Sequence, residues 1–228
     1  PHPVPAARAV TVPETRHLGD RMQITHRGHA AVLVEVADRR ILIDPGNFST
    51  EWHDLRDLDA VLVTHQHPDH IDPEHIGELL VNNPQAAVYV EPQVLGAVDL
   101  DRAEPLAADG SIDLGAVTVD AVGGLHAIIH RDIPQIGNVG LVITAEGEPT
   151  LFHPGDSLAT VPKGVDVLAV PAYGPWAAMK ETIDFARAVD ATHGFPIHDG
   201  LLAERGVQLI HGRLGAMTGT TRHDLRDD

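Results

Sequence analysis

Apolar residues along the chain fall in short runs punctuated by Gly, Pro and Asp, a texture that predicts many buried strands. Residues 31–36 and 40–43 are two such runs. The Ala-Asp-Arg between them reads as a hairpin, and Asp44-Pro45-Gly46 turns the chain out of the second strand. Residues 60–63 form a third, wholly apolar run, and residues 87–90, 116–119, 141–144, 150–152 and 165–170 continue the pattern. A last short strand, 191–197, ends at His198. Helical periodicity is clear twice. After residue 72, Asp72 is a good N-cap and Pro73 a good first helical residue, with Ile76, Leu79 and Leu80 on one face. Over 178–189, Met179, Ile183, Ala186 and Val189 repeat at helical spacing. Strands dominate early and alternate with helices later, which predicts an α/β fold with sheets covered by helices on their outer faces. Residues 1–21, with prolines at 1, 3, 5 and 13, read as an extended or partly disordered arm, leaving 22–228 as a single domain.

At 228 residues and 43% hydrophobic the chain can bury one substantial core. Its formal charge is -17, from 33 acidic against 16 basic residues, which opposes docking on a phosphate backbone, so no nucleic acid partner is expected. No apolar run approaches a membrane span, and the first 22 residues lack the apolar centre of a secretory signal. With no cysteine there is neither a disulfide framework nor a thiolate nucleophile, which fits a reducing, cytoplasmic setting. Any metal must therefore be held by His, Asp or Glu.

Residues 61–70 read Val-Leu-Val-Thr-His-Gln-His-Pro-Asp-His, so a strand-like run delivers three histidines and an aspartate within six positions. These are ligands that a borderline ion such as zinc accepts. Residues two apart share a strand face, so His65 and His67 can converge on one ion. Pro68 should turn the chain and bring Asp69 and His70 toward a second. With 16 histidines in the chain some clustering is expected, yet multiplying residue frequencies gives roughly a one in a hundred chance of His-x-His-x-Asp-His. Four ligands do not complete two sites, so other strand exits must supply more. Three fit: Gly123-Gly124-Leu125-His126, His153-Pro154-Gly155-Asp156 and Pro196-Ile197-His198-Asp199. Each alone reads as an ordinary loop; their common position at strand ends sets them apart.

Taken together, His65-Gln66-His67-Pro68-Asp69-His70 followed by His126, Asp156 and His198 resembles the metallo-β-lactamase superfamily. The Gly28-His29-Ala30 start, residues 41–45, His153-Pro154-Gly155-Asp156-Ser157 and Pro196-Ile197-His198 resemble more narrowly the branch of ascorbate-6-phosphate lactonase and many uncharacterised hydrolases. The resemblance implies an αβ/βα four-layer sandwich and two divalent metal ions, zinc foremost, with manganese or iron as alternatives. It assigns His65, His67 and His126 to the first ion, Asp69, His70 and His198 to the second, and Asp156 to a bridge between ions about 3.5 to 4 Å apart. His130 and His193 are rivals to His126 and His198; His130 would otherwise face substrate. Asp199 would support a ligand, and Tyr173 and Trp176 would line a pocket, with Arg131 near in pattern only. The implied chemistry is attack by a metal-bridging hydroxide on a small ester, lactone or phosphodiester, with Asp69 orienting the nucleophile. A flavodiiron oxidoreductase would carry glutamate where His67 stands, and ribonuclease members add an RNA-binding part for which this chain lacks room and charge. Antibiotic hydrolysis is disfavoured by the closer lactonase-like motifs. The non-enzymatic alternative is a metal-binding scaffold of the same fold. The partner expected is a small-molecule substrate, and the branch often assembles, so a homo-oligomer is expected.

Overall fold

The computed structural model describes residues 9–11 and 22–225. Two seven-stranded sheets lie face to face. The first runs β1 (Ala9–Thr11), β2 (Gln23–His26), β3 (Val32–Val36), β4 (Arg39–Ile43), β5 (Ala60–Val63), β6 (Ala87–Val90) and β7 (Glu104–Pro105), each beside the next. The second holds β8 (Ser111–Asp113), β9 (Val117–Leu125), β10 (Gly137–Ala145), β11 (Leu151–His153), β12 (Val167–Pro171), β13 (His193–Ile197) and β14 (Thr221–Arg222), again in chain order. Each sheet starts antiparallel and finishes parallel, the change falling at β4 and at β11. Parallel neighbours need a crossover: α1 (Ile76–Asn82), α2 (Val94–Ala97), α3 (Met179–Val189) and α4 (Glu204–Met217) lie in those from β5 to β6, β6 to β7, β12 to β13 and β13 to β14, while the crossovers from β4 to β5 and from β11 to β12 have no helix.

The period-two alternation of strand side chains sorts apolar residues into three layers. Val32, Val34, Ile41, Ile43 and Leu62 face Val119, Leu141, Val167, Phe195 and Ile197 between the sheets. Leu33, Leu42, Val61 and Val63 pack outward with Ile76, Leu79 and Leu80 of α1 and with Trp52. Leu168 and Val170 pack outward with Ile183, Phe185 and Val189 of α3 and Ile210 and Leu214 of α4. Strands covered on both sides read as continuous apolar runs, as 60–63 does. The order helix, sheet, sheet, helix is the four-layer sandwich that the resemblance implied. Among the described residues no helix is long and apolar enough to cross a membrane.

Local expectations shift in three places. The helix after the histidine cluster starts at Ile76, not Pro73: residues 73–75 form a turn whose Glu74 N–H and His75 Nδ1 bond to the Asp72 carboxylate, at 2.9 and 2.7 Å. Asp72 thus caps a turn, while Ile76, Leu79 and Leu80 are buried as expected. Gly123 and Gly124 are not a turn; they lie inside β9 with φ of +91° and +127°, opposite Val139 and Asn138 of β10. Only glycine takes those dihedrals without strain, so β9 runs on to Leu125 and delivers His126 at its end. The hairpin turn is Ala37-Asp38, both at positive φ, and Arg39 already belongs to β4. The N-terminal arm falls outside the described residues apart from 9–11, which pair with β2.

Candidate metal centre

The ends of the parallel strands and the exit of β9 open on one side of the sandwich, and the candidate side chains gather there. His65 and His67 follow β5, Asp156 follows β11, His198 follows β13, and His126 follows β9. Asp69 and His70 are turned back by Pro68, with the His70 and Ile71 N–H groups bonded to the His67 carbonyl at 2.9 and 3.0 Å. That loop lies directly on Gly46, where a Cβ would come within 1.8 Å of the Asp69 carbonyl oxygen. Any side chain at residue 46 would push the Asp69–His70 turn out of place.

Hydrogen bonds fix how the rings face. His70 Nδ1 donates to Asp44 Oδ2 at 2.7 Å, and His126 Nδ1 donates to the Ala127 carbonyl at 2.6 Å. His198 Nδ1 donates to the Tyr173 carbonyl. The Thr64 hydroxyl donates to Asp44 Oδ2 at 2.7 Å, so it accepts from His65 Nδ1 at 3.1 Å. Each of these rings carries its second proton outward and turns Nε2 inward, the arrangement a metal-ligating histidine requires. The inward atoms meet around Asp156. His70 Nε2 lies 3.1 Å from Oδ1, and His198 and His126 Nε2 lie 3.0 and 3.3 Å from Oδ2. His65 Nε2 lies 3.8 Å from Oδ2 and 3.1 Å from His67 Nδ1. The Nε2 atoms of His70, His126 and His198 and Oδ1 of Asp156 are buried with no aligned hydrogen bond. Close approach without alignment means that these atoms point past one another at a common centre, which is how ligands around an ion are disposed.

Two groups result, each with ligand atoms within 4.8 Å of one another: His65, His67, His126 and Asp156, and His29, Asp69, His70 and His198. His29 is the member the sequence reading did not single out as a ligand. Its Nδ1 accepts the Gly200 N–H at 3.0 Å, so the proton of the neutral ring sits on Nε2, which donates to Asp69 Oδ2 at 3.1 Å. A ring committed this way has no inward lone pair; His29 holds Asp69 rather than an ion. Its carbonyl also accepts the His198 N–H at 2.8 Å, tying both loops to the turn after β2. A third group, His53, Asp72 and His75, is differently built. Its two rings stack at an interplanar angle of 20°, and His75 Nδ1 lies 2.7 Å from Asp72 Oδ2.

Charges inside the centre are strongly coupled. Burial holds His65 well below the usual histidine value, and His70 nearby adds to this. For His198 burial acts downward too, but the Asp156 charge prevails and pushes it up to about 9. His70 is likewise raised well above the ordinary value by Asp156 and Asp44 against burial. Burial would raise Asp69 and Asp156; instead the His198 and His29 side chains hold Asp69 below the usual carboxylate range, and the charges of His70 and His198 do so for Asp156. A divalent ion bound there would displace any proton on the inward Nε2 atoms, so metal binding at this cluster is expected to release protons.

The remaining sequence candidates fall at different distances. Trp176 donates from Nε1 to Asp156 Oδ2 at 3.0 Å and lines the cavity over the centre with Pro175. Tyr173 contributes its carbonyl to His198, not its ring to that cavity. His130 is exposed, and its Nδ1 accepts the Asp132 N–H at 3.1 Å; Arg131 is exposed beside it. His193 begins β13, at the end opposite His198, with Nδ1 3.0 Å from His223 Nε2. Asp199 is buried, with Oδ1 4.0 Å from His26 Nε2. His153 bonds to the Ala30 carbonyl at 3.2 Å and pins the two sheets together. Asp44, which sequence reasoning took only as a turn residue, is fully buried and accepts from Thr64 and His70. Its place at the end of β4, directly beside the β5 ligand strand, was the signal that could have found it.

Residues 23–198 match the family model of the beta-lactamase superfamily domain. Protein Rv0786c of Mycobacterium tuberculosis is 42% identical over 203 residues, 87% of this chain and 94% of that protein. A UPF0173 metal-dependent hydrolase of Xanthobacter autotrophicus is 34% identical over 155 residues, 60% of this chain. The match spans 62% of that relative's length. Among solved structures, one from Parabacteroides distasonis superposes with a TM-score of 0.76 at 16% identity, covering 99% of this chain and 100% of that one. The metallo-beta-lactamase fold protein YhfI of Bacillus subtilis superposes with a TM-score of 0.67 at 17% identity, covering 90% and 97%. At such identities these structures speak to the fold.

Proposed function

The chain belongs to the metallo-β-lactamase superfamily, and on that premise we propose that it is a metal-dependent hydrolase holding two divalent ions and cleaving a small ester, lactone or phosphodiester. His65, His67 and His126 hold the first ion, Asp69, His70 and His198 the second, and Asp156 is shared. The observation that carries this reading is the set of buried ligand atoms around Asp156 that approach one another at 3.0 to 3.3 Å without hydrogen-bond alignment. The nitrogen-rich donor set favours zinc, with manganese and iron as the alternatives. Bound there, two such ions would supply a strongly acidified water and a Lewis acid for the developing oxyanion.

The chain's own groups do the rest. Asp44 fixes the ring of His70 and, through Thr64, that of His65, so the ligands are oriented before an ion arrives. Asp69, held by His29 and half-open to the cavity, is placed to accept a proton from the attacking water. Trp176 covers Asp156 and keeps bulk water from its Oδ2.

Protein purified without chelator and incubated with zinc or manganese is expected to carry about two ions per chain by elemental analysis. Turnover across lactones, carboxylic esters, phosphodiesters and β-lactams should be abolished by chelator. Stoichiometry near zero would sink the metal reading, and two firmly bound ions with no turnover of any class would favour a non-catalytic scaffold.

The ligand assignment has its own test. His126→Ala and His198→Ala are each expected to weaken retention of one ion by at least about 100-fold, more than the loss of a supporting group costs. His130→Ala and His193→Ala should leave stoichiometry unchanged. An ion lost in His193→Ala and kept in His198→Ala would overturn the assignment of the second ion.

A further inference from the structure

The centre lies at the floor of a cavity of about 460 Å³, within the range of pockets that enclose drug-sized ligands. Five loops contribute apolar surface to its lining: Phe48 after β4, Pro68 after β5, Ile129 after β9, Pro175 and Trp176 after β12, and Leu201 after β13. Among the described residues the charged side chains lining it are Asp69 and Asp156, alongside His67 and His198, and no lysine or arginine takes part. Phe48 and Leu201 are 45% and 53% exposed, and Ile128, beside Ile129, is 67% exposed. Large apolar side chains gathered round one opening, uncovered by the other described residues, mark a surface that binds something apolar.

Resting on the hydrolase reading above, we infer that the substrate is a neutral carboxylic ester or lactone bearing an apolar acyl or alkyl arm, which lies along Phe48, Ile129, Pro175, Trp176 and Leu201 while its carbonyl reaches the centre. A phosphodiester's charge would be met here by the ions alone, because the described lining carries no guanidinium fork or ammonium of the kind that adds to phosphate recognition. The formal charge of -17 repels anions further. An alkyl arm, by contrast, removes apolar wall from water as it binds.

The test is a chain-length series on the zinc-loaded protein. For straight-chain acyl esters of two to eight carbons, kcat/KM should rise about two- to fourfold per added methylene, the increment that burial of one CH₂ supports. A bis-aryl phosphodiester should turn over more slowly than the eight-carbon ester. Leu201→Arg should flatten the series, and Phe48→Arg, at a second exposed position, should do the same; retained ion stoichiometry certifies that each variant is folded. Alkyl hydroxamates of two, five and eight carbons provide a reading independent of turnover, because their affinity should rise with chain length by the same factor. A flat series in both esters and hydroxamates, or a preference for the phosphodiester, would overturn the inference. A rising hydroxamate series with no ester cleaved would support the apolar arm and count against the hydrolase reading alone.

Discussion

Asp156→Asn is expected to bring the metal content from about two ions per chain to below one and to lower kcat/KM by at least about 10³-fold, the equivalent of roughly 4 kcal/mol of transition-state stabilisation. The size of the effect follows from position. Oδ1 faces His70, while Oδ2 faces His126, His198 and His65, so a single carboxylate serves both ligand groups. Replacing it with an amide removes a negative charge from between the two ligand groups and turns an N–H donor toward inward-facing nitrogens. The fold should survive, because the residue is anchored by its backbone: the Asp156 N–H bonds to Asn138 Oδ1 at 2.9 Å. Elemental analysis and turnover read the effect, and circular dichroism checks the fold. Retention of both ions would show that the carboxylate is not shared.

The centre was legible in the sequence to the extent that ligands sit where strands end. His65, His67, Asp69 and His70 stand in one segment, and the geometry brings them together with His126, Asp156 and His198 in two groups that meet at Asp156. Local context separated His126 from His130 and His198 from His193, since β9 and β13 each have one end at the centre and the rivals fall in a loop or at the far end. What was not legible is the supporting layer. Asp44 reads as a turn residue in Asp-Pro-Gly, and only the parallel pairing of β4 with β5 reveals that its carboxylate bonds to Thr64 and His70. His29 was quoted as part of a motif, and its role depends on the Gly200 N–H, 171 positions away. Contacts of that separation leave no periodic trace.

The fold followed the same division. Strands buried on both faces announce themselves as apolar runs, so β5 and β12 were read close to their observed limits. Elements with weak intrinsic preference were missed. Helix α4 contains Gly206, Gly212 and Gly215, which dilute its helical pattern, although Val207, Ile210 and Leu214 are buried at helical spacing. Its stability comes from packing on α3 and on the outer face of β12, which the sequence alone does not display. The start of α1 moved because the carboxylate of Asp72 found partners in Glu74 and His75 before a helix could begin.

Asp69→Asn is expected to keep the fold while weakening retention of the second ion and, with both ions restored by excess metal, lowering kcat by about 10²- to 10⁴-fold, the range over which a positioned proton acceptor contributes. An amide occupies the same volume and can still accept the His29 Nε2–H through its oxygen, so the cavity should keep its shape. It is a poorer ligand and cannot take a proton from water, so the loss should fall on kcat with KM little changed. His29 provides the control that separates chemistry from position. His29→Leu removes the donor to Asp69 and should cost about 10- to 100-fold in retention of the second ion, the usual effect of losing a partner behind a ligand. His29→Gln, whose amide N–H can reach toward Asp69, should recover part of that loss. Retention is read by titrating the second ion against a competing chelator, independently of activity. If Asp69→Asn turned over at the parental rate with both ions bound, proton acceptance would have to lie elsewhere in the cavity. If His29→Leu and His29→Gln behaved alike, the bond between His29 and Asp69 would have no part in holding the second ion.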